Sequence, residues 1–272
     1  MGTKNYQWIK YFSNTYSAEI MLNRPEKRNA LTDELLSEVR DAIQEANRNP
    51  EVRVIVLSGI GKAFSAGFDI SPNAKKREKV EDWQDHFSNA SKTFRAIWDS
   101  EKPVVAKIDG PCLGGGFDMV MACDLAIASE ESIFGEPEVL FAGTCMFMLM
   151  PWLVNTKVCK QILLTGENFD AQKALSWDLI NMVVPADQLD DAVDRIVRNM
   201  AKIPLGTLPY NKKLINRVFE LMQIRTAFDI SENAAVIALT TKSGEAERFD
   251  MIAKKDGLKE ALAWRAKMFS TD

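Results

Sequence analysis

Short apolar segments that alternate with helix-like segments constrain the fold of the first half of this chain most strongly. Four of these segments have the length and the β-branched content of buried strands: residues 18–22, 52–57, 103–108 and 124–128. Strands that are separated by helices usually pair in parallel and form a layered sheet. The sequence therefore predicts an α/β fold with a largely parallel sheet.

Helical periodicity accounts for much of the remaining chain. Thr32 is a suitable N-cap for a helix that extends to about Ala46, and apolar residues recur within that stretch at helical spacing. From residue 186 onward the sequence is almost wholly helix-like. We therefore predict a sheet-based core in residues 1–200 and a helical region in residues 201–272.

Composition excludes several classes of function. The chain has 272 residues and a net charge of −4, so it lacks the basic surface that binding of nucleic acid or anionic membranes would require. Its four cysteines form no CxxC pair, which argues against a zinc site and a disulfide framework. No apolar run reaches the ~20 residues of a membrane span, and residues 1–6 lack a secretion signal. We expect a cytoplasmic protein without metal.

The only histidine, His86, lies in a polar amphipathic segment. A Ser–His or Cys–His nucleophile would have to use it, but no nucleophile motif stands nearby. We therefore expect His86 on the surface. The charged run from Lys75 to Lys79 is predicted to be a solvated loop, with a mobile lid as the alternative.

Two loops that follow predicted strands can approach a ligand closely. One spans residues 62–70, and the other is the Gly-Gly-Gly-Phe-Asp segment at 114–118. Both lie at the carboxyl edge of a parallel sheet, where ligands of α/β proteins bind. Each could direct a backbone N–H at one carbonyl oxygen, and such a donor is worth about 3–4 kcal/mol in a transition state. The alternative is that both loops are only tight turns between strand and helix.

Two acids, Asp118 and Glu138, lie twenty residues apart near these loops. Two carboxyl groups beside a polarised carbonyl can hold a water, one removing its proton while the other supplies a proton to carbon. Close carboxylates also raise one another's pKa, which allows one to act as acid and the other as base. Glu136 competes with Glu138 for this role, and we expect Glu136 at the rim or as a helix cap.

Four segments together resemble the crotonase (enoyl-CoA hydratase/isomerase) superfamily: residues 23–31, 63–69, 110–118 and 134–138. Residues 164–174 extend the resemblance, which covers about residues 15 to 265. The resemblance implies a core of repeated ββα turns that form a spiral. It also implies a helical C-terminal region that builds homotrimers, often paired as hexamers.

The resemblance further implies roles for individual residues. The backbone N–H groups of Ala66 and Gly115 would hold the oxygen of an acyl-CoA thioester, and Asp118 and Glu138 would be the catalytic acids. No cofactor is expected, because CoA is part of the substrate. Residues implied to bind CoA are Lys27, Arg28, Ala30, Ala66, Gly67, Phe68, Asp69 and Ile70.

The reaction is less constrained than the family. Hydration of an enoyl-CoA is the leading hypothesis, followed by double-bond isomerisation and by hydrolysis of a β-oxo acyl-CoA; a non-catalytic acyl-CoA-binding protein is the remaining alternative. Asp118 is one methylene shorter than the glutamate usual in hydratases. It resembles the dienoyl-CoA isomerase branch, but Met146 stands where that branch needs a second aspartate. The methionine-rich stretch 145–152 is either repacked core or an acyl pocket formed by Met146, Met148 and Trp152.

Overall fold

A computed structural model describes residues 5–71, 74–241 and 243–269. Within them, the largest sheet has the order β1-β2-β3-β4-β6-β9, and a smaller sheet has the order β5-β7-β8. The strands are β1 (Ile9–Ser13), β2 (Ser17–Leu22), β3 (Val54–Gly59), β4 (Val104–Ile108), β5 (Pro111–Leu113), β6 (Leu125–Ser129), β7 (Ile133–Gly135), β8 (Phe169–Asp170) and β9 (Met182–Val184). Every pairing in the larger sheet is parallel except that of β1 with β2.

Helices surround these sheets and continue to the end of the described chain. They are α1 (Asp33–Arg48), α2 (Val80–Trp98), α3 (Gly115–Met121), α4 (Met150–Leu153), α5 (Thr156–Thr165), α6 (Ala171–Ser176), α7 (Leu189–Ala201), α8 (Thr207–Leu221), α9 (Ile224–Thr240), α10 (Gly244–Lys255) and α11 (Leu258–Lys267). Short 3-10 turns lie at Pro25–Lys27, Pro137–Phe141 and Ala186–Gln188.

Strand β3 shows why the central strands are apolar throughout. Its side chains alternate between the two faces of the sheet, and both faces are covered. Ile55 and Leu57 join the main core, whereas Val54 and Val56 pack in a second cluster with residues of α7. A strand that is buried on both faces has no polar side, so it reads as a continuous apolar run.

The sequence correctly predicted the α/β architecture. Predicted strands at 18–22, 52–57, 103–108 and 124–128 correspond to β2, β3, β4 and β6, and the predicted helix from Thr32 corresponds to α1. The Thr32 hydroxyl accepts a hydrogen bond from the Leu35 N–H (3.3 Å), as expected of an N-cap. The smaller sheet was not predicted, because strands of two or three residues are too short to show a period.

The helical C-terminal region is anchored to the core by an ion pair between the buried Lys212 and the partly exposed Asp124. The Lys212 ammonium on α8 lies 2.7 Å from an Asp124 carboxylate oxygen, and Lys212 also donates to the Ile97 carbonyl. Farther along, α10 and α11 form a small apolar cluster around Phe249 and Trp264. The division of the chain near residue 200 remains a prediction.

One face of α8 is apolar and open. Its exposed side chains are Leu214, Ile215, Val218 and Leu221. None of the helices within residues 5–71, 74–241 and 243–269 combines the length and apolar character that a bilayer crossing requires.

Candidate active site

Backbone hydrogen bonds bring the predicted ligand loops together. The segment after the first 3-10 turn lies beside residues 65–69, because the Ala66 N–H donates to the Arg28 carbonyl (2.9 Å) and the Leu31 N–H donates to the Gly67 carbonyl (2.8 Å). Two segments that are distant in sequence are therefore held at a fixed separation.

The same pairing continues toward the second loop. The Leu113 N–H donates to the Ser65 carbonyl (3.0 Å), and the Gly114 N–H donates to the Gly135 carbonyl (2.9 Å). Residues 62–70, the glycine loop and the segment that ends in Glu138 thus form one surface. The sequence predicted that the first two of these segments lie together, because both follow strands at the carboxyl edge of the sheet.

Asn29 stabilises this surface from beneath, and its role was missed in the sequence. It is fully buried and has a left-handed backbone (φ 54°). Its amide nitrogen donates to the carbonyls of Ile60 (3.0 Å) and Ala63 (2.8 Å), and its own carbonyl accepts from the Ser65 hydroxyl (2.9 Å). The sequence signal that could have revealed this role was the asparagine itself, because asparagine tolerates positive φ and its side chain can both donate and accept hydrogen bonds.

The first glycine of the loop allows an acid to approach the backbone. Gly114 has φ 51°, and a Cβ at this position would lie 1.5 Å from the Glu138 carboxylate oxygen Oε1. The same oxygen accepts a hydrogen bond from the Gly115 N–H at 2.9 Å. A glycine at 114 is therefore required for the observed position of Glu138.

Three carboxyl groups, rather than two, meet behind this loop. Asp118 and Glu136 are each only 1% exposed, and the Cys145 thiol donates to Asp118 Oδ1 at 3.3 Å. Ligand atoms of Asp118, Glu136 and Cys145 all lie within 4.8 Å of one another. Glu138 is partly accessible, although its Oε2 atom is buried.

The expectation that Glu136 lies at the rim or caps a helix was wrong. Glu136 precedes the turn at Pro137–Phe141, but its side chain makes no capping hydrogen bond. The physical reason is that β7 runs inward from the exposed Ile133 to the buried Phe134 and Gly135, so the residue that follows lies inside the protein. Both Glu136 carboxyl oxygens are buried and have no hydrogen-bond partner among the described residues.

Burial dominates the electrostatics of the cluster. It raises the pKa of Asp118 well above the usual range, and the nearby Glu138 adds to the effect. Burial also raises the pKa of Glu136 strongly, with further contributions from Asp118 and Glu138. Burial raises the pKa of Glu138 as well, but hydrogen bonds, including that from Gly115, oppose the shift. Glu138 is therefore the acid that ionises most readily.

Asp118, Glu136 and Cys145 are the residues in the described chain that could together hold a metal ion. Burial also raises the pKa of the Cys145 thiol well above its ordinary value. Metal ligands must be deprotonated, so these raised pKa values oppose metal binding. The arrangement fits proton transfer better than metal coordination.

The two predicted oxyanion donors have partners in this structure. The Gly115 N–H is bonded to Glu138, and the Ala66 N–H is bonded to the Arg28 carbonyl. An oxygen that binds at Gly115 must therefore replace Glu138 Oε1. The role of Ala66 and Gly115 as an oxyanion hole stays a prediction.

The residues predicted to bind CoA include both exposed and buried side chains. Lys27, Arg28 and Ile70 are exposed, whereas Ala30 is buried. The Phe68 ring packs over Gly115, where an added Cβ would lie 2.7 Å from it. CoA binding by this set remains a prediction.

Asp69, from the same predicted set, pairs with Arg24 at 3.0 Å and accepts the Ser71 N–H at 3.0 Å. Burial opposes its ionisation, but these two partners lower the pKa of Asp69 overall. The geometry gives Asp69 a part in holding the loop.

The methionine-rich stretch contributes mainly to the core. Met146 is 1% exposed, and its carbonyl accepts from the Ser231 hydroxyl (3.0 Å). The adjacent Phe147 ring stacks on Phe228 with centroids 4.0 Å apart. This placement supports the repacked-core alternative for Met146. Met148 and Trp152 are partly buried, and their role in an acyl pocket stays a prediction.

The expectation that His86 lies on the surface was wrong. His86 is 4% exposed and its Nδ1 lies 2.5 Å from Asp33 Oδ1. Its ring packs against Phe68, with centroids 5.1 Å apart, because aromatic residues at helical spacing turn this face of α2 inward. Arg77 also contacts Asp33 at 3.2 Å, which ties part of the predicted solvated loop to α1.

Comparison with known proteins agrees with this geometry. A sequence model of the family Enoyl-CoA hydratase/isomerase matches residues 14–248. The chain is 34% identical to a short-chain-enoyl-CoA hydratase of Clostridium acetobutylicum over 74% of this chain and 77% of that protein. It is 32% identical to a hydroxycinnamoyl-CoA hydratase-lyase of Pseudomonas fluorescens, covering 74% of this chain and 75% of that protein.

Among solved structures, an enoyl-CoA hydratase/isomerase from Xanthobacter autotrophicus Py2 is similar with a TM-score of 0.93 and 33% identity. The match covers 98% of this chain and 100% of that chain. The chain therefore has the crotonase fold and belongs to the enoyl-CoA hydratase/isomerase family. It is an enzyme of the lyase/isomerase type.

Proposed function

We propose that this protein is an enoyl-CoA hydratase, which adds or removes water across the α,β double bond of an enoyl-CoA thioester. One observation supports this most directly: two acids of different ionisation tendency, Asp118 and Glu138, lie in one buried cluster beside the Gly115 N–H. A hydratase needs a base for water and an acid for carbon at the same time.

The proposed reaction uses these groups in turn. The thioester oxygen replaces Glu138 Oε1 at the Gly115 N–H, which polarises the carbonyl and makes Cβ electrophilic. Ionised Glu138 removes a proton from a water molecule as the water oxygen attacks Cβ. Neutral Asp118 then gives its proton to Cα, and the proton gained by Glu138 restores Asp118 for the next turnover.

Single-atom substitutions test this mechanism. Asp118→Asn and Glu138→Gln are each expected to lower kcat for hydration about 10²- to 10⁴-fold, because each removes one proton-transfer group. CoA-ester binding should persist, since both changes conserve shape. The assay offers short linear, alicyclic and aromatic enoyl-CoA esters and measures addition of water by mass spectrometry. Full activity of Glu138→Gln would refute the mechanism.

Isomerisation is the alternative that the same assay distinguishes. A single carboxylate can carry a proton between two carbons, so an isomerase would tolerate Asp118→Asn but not Glu138→Gln. Its product has the mass of the substrate and a changed ultraviolet absorbance. Release of free CoA would instead indicate hydrolysis.

We further propose that the protein forms homotrimers or hexamers and resides in the cytoplasm, with CoA present only as part of the substrate. The exposed apolar side chains of α8 support self-association. Four free cysteines, three of them buried, fit a reducing compartment.

A further inference from the structure

Glu136 is a buried acid that the proposed reaction does not use. It is 1% exposed, and neither of its carboxyl oxygens has a hydrogen-bond partner among the described residues. Oε2 of Glu138 is also buried and without a partner. Unsatisfied buried polar atoms are costly, and in native proteins they call for a specific explanation.

One proton would satisfy two of these three buried oxygens. A side-chain hydrogen bond between Glu136 and Glu138 would raise the pKa of Glu136 and lower that of Glu138. Two ionised carboxylates only accept hydrogen bonds, so they cannot bond to each other. A neutral Glu136 carries an O–H that can donate to Glu138, and this bond satisfies atoms of both side chains.

The surroundings of Glu136 also favour the neutral form. The groups that act on it are acidic: Asp118 from α3, Glu138 from the 3-10 turn, and the thiols of Cys112 on β5 and Cys145 after the turn. Three carboxylates in one buried cluster cannot all be charged, because like charges at short range strongly disfavour ionisation.

We propose that Glu136 is a positioning residue that stays neutral and donates a hydrogen bond to Glu138, so that Glu138 is the ionised base of the site. The proposal rests on the proposed hydratase function for its kinetic consequences only. With Oε1 on the Gly115 N–H and a second bond from Glu136, the Glu138 carboxylate is fixed from two sides. When a thioester oxygen takes the Gly115 N–H, the bond from Glu136 keeps the base in place.

Infrared spectroscopy of the substrate-free protein tests the protonation state directly. Wild type at pH 7 should show the C=O stretch of protonated carboxylic acids, and Glu136→Gln should lose part of that band. Glu131→Gln is the matched control, because Glu131 is an exposed acid close in sequence, and its spectrum should equal that of wild type. An unchanged band in Glu136→Gln would overturn the proposal, whether or not the protein proves to be a hydratase.

Kinetics test the positioning role. Glu136→Leu removes the donor, so kcat should fall about 100-fold, as expected for a misplaced base. In the profile of kcat against pH, the acid limb of Glu136→Leu should lie about one pH unit higher than in wild type, because the Glu138 carboxylate loses a stabilising hydrogen bond. Glu136→Gln keeps a hydrogen-bond donor, so its kcat should be at least about tenfold higher than that of Glu136→Leu. Its acid limb should lie near the wild-type position. Equal kcat and equal pH profiles for the Leu and Gln variants would contradict the proposal.

Metal binding is the competing explanation of the cluster. Wild type and Cys145→Ser are incubated with Zn²⁺, dialysed and assayed for metal content. We expect that neither protein retains stoichiometric zinc. We also expect that treatment with a chelator leaves the infrared band unchanged. Retention of one zinc per chain by wild type but not by Cys145→Ser would overturn the proposal in favour of a metal site.

Discussion

Gly114→Ala should separate the position of Glu138 from the stability of the fold. The new Cβ would lie 1.5 Å from Glu138 Oε1, so the carboxylate must move by about 2 Å to reach ordinary contact distance. That movement breaks its hydrogen bond with the Gly115 N–H. Misplacement of a reacting group by about 1 Å can cost ~100-fold in rate. We therefore expect kcat to fall at least ~100-fold.

The backbone cost of the same substitution can be measured elsewhere in the chain. Gly257 also has a positive φ, of 98°, but a Cβ there would meet no atom within 4 Å. Gly257→Ala should therefore show only the backbone strain, about 1–3 kcal/mol, with unchanged kcat. Both variants are compared by urea unfolding and by steady-state hydration of an enoyl-CoA.

The comparison gives a clear criterion for rejection. If the geometry of Glu138 matters as described, the two alanine variants differ in kcat by at least ~100-fold, and Gly114→Ala loses at least as much stability as Gly257→Ala. Gly114→Ala with wild-type kcat would show that Glu138 does not work from the position seen here. Equal loss of kcat in both variants would attribute the effect to backbone strain.

Three further predictions concern stability and assembly. Lys212→Met should destabilise the fold by about 1.5 kcal/mol in urea unfolding, because it removes the hydrogen bonds of the Lys212 ammonium to the Asp124 carboxylate and the Ile97 carbonyl. The exposed Lys213→Met should change stability by under ~0.5 kcal/mol. Glu136→Gln should stabilise the protein, relative to wild type, increasingly as pH rises above about 5. Because the pKa of Glu136 is raised in the folded state, wild type releases a proton on unfolding, and its free energy of unfolding falls by up to about 1.4 kcal/mol per pH unit. Equal slopes of the free energy of unfolding against pH in the two proteins would contradict this. Light scattering should give a trimer or hexamer for wild type and smaller species for Ile215→Asp with Val218→Asp, since charges on the exposed apolar face of α8 would oppose self-association.

The sequence predicted those parts of the fold whose signals are local. Strand β3 and helix α1 carry complete patterns of buried residues within a few turns, so their type and approximate position were predictable. The convergence of the two ligand loops was also predictable, because parallel strands place the loops that follow them at one edge.

The predictions that failed depend on distant contacts. Glu136 and Glu138 are only two positions apart, and the inward path of β7 determines that Glu136 is buried. His86 is inward-facing because Asp33 and Phe68, which are far away in sequence, supply a partner and a packing surface. Neither residue has a local pattern that reveals these neighbours.

The packing of the C-terminal helices has a consequence for biosynthesis. The turn that carries Glu138 ends in Leu140 and Phe141; the Leu140 carbonyl accepts from Arg265 on α11, and the Phe141 ring lies 4.9 Å from Phe249 on α10. The support of the proposed base therefore comes from residues that are synthesised more than a hundred positions later. A chain still emerging from the ribosome can fold its sheet first, but it completes its reactive centre only when the last helices have docked.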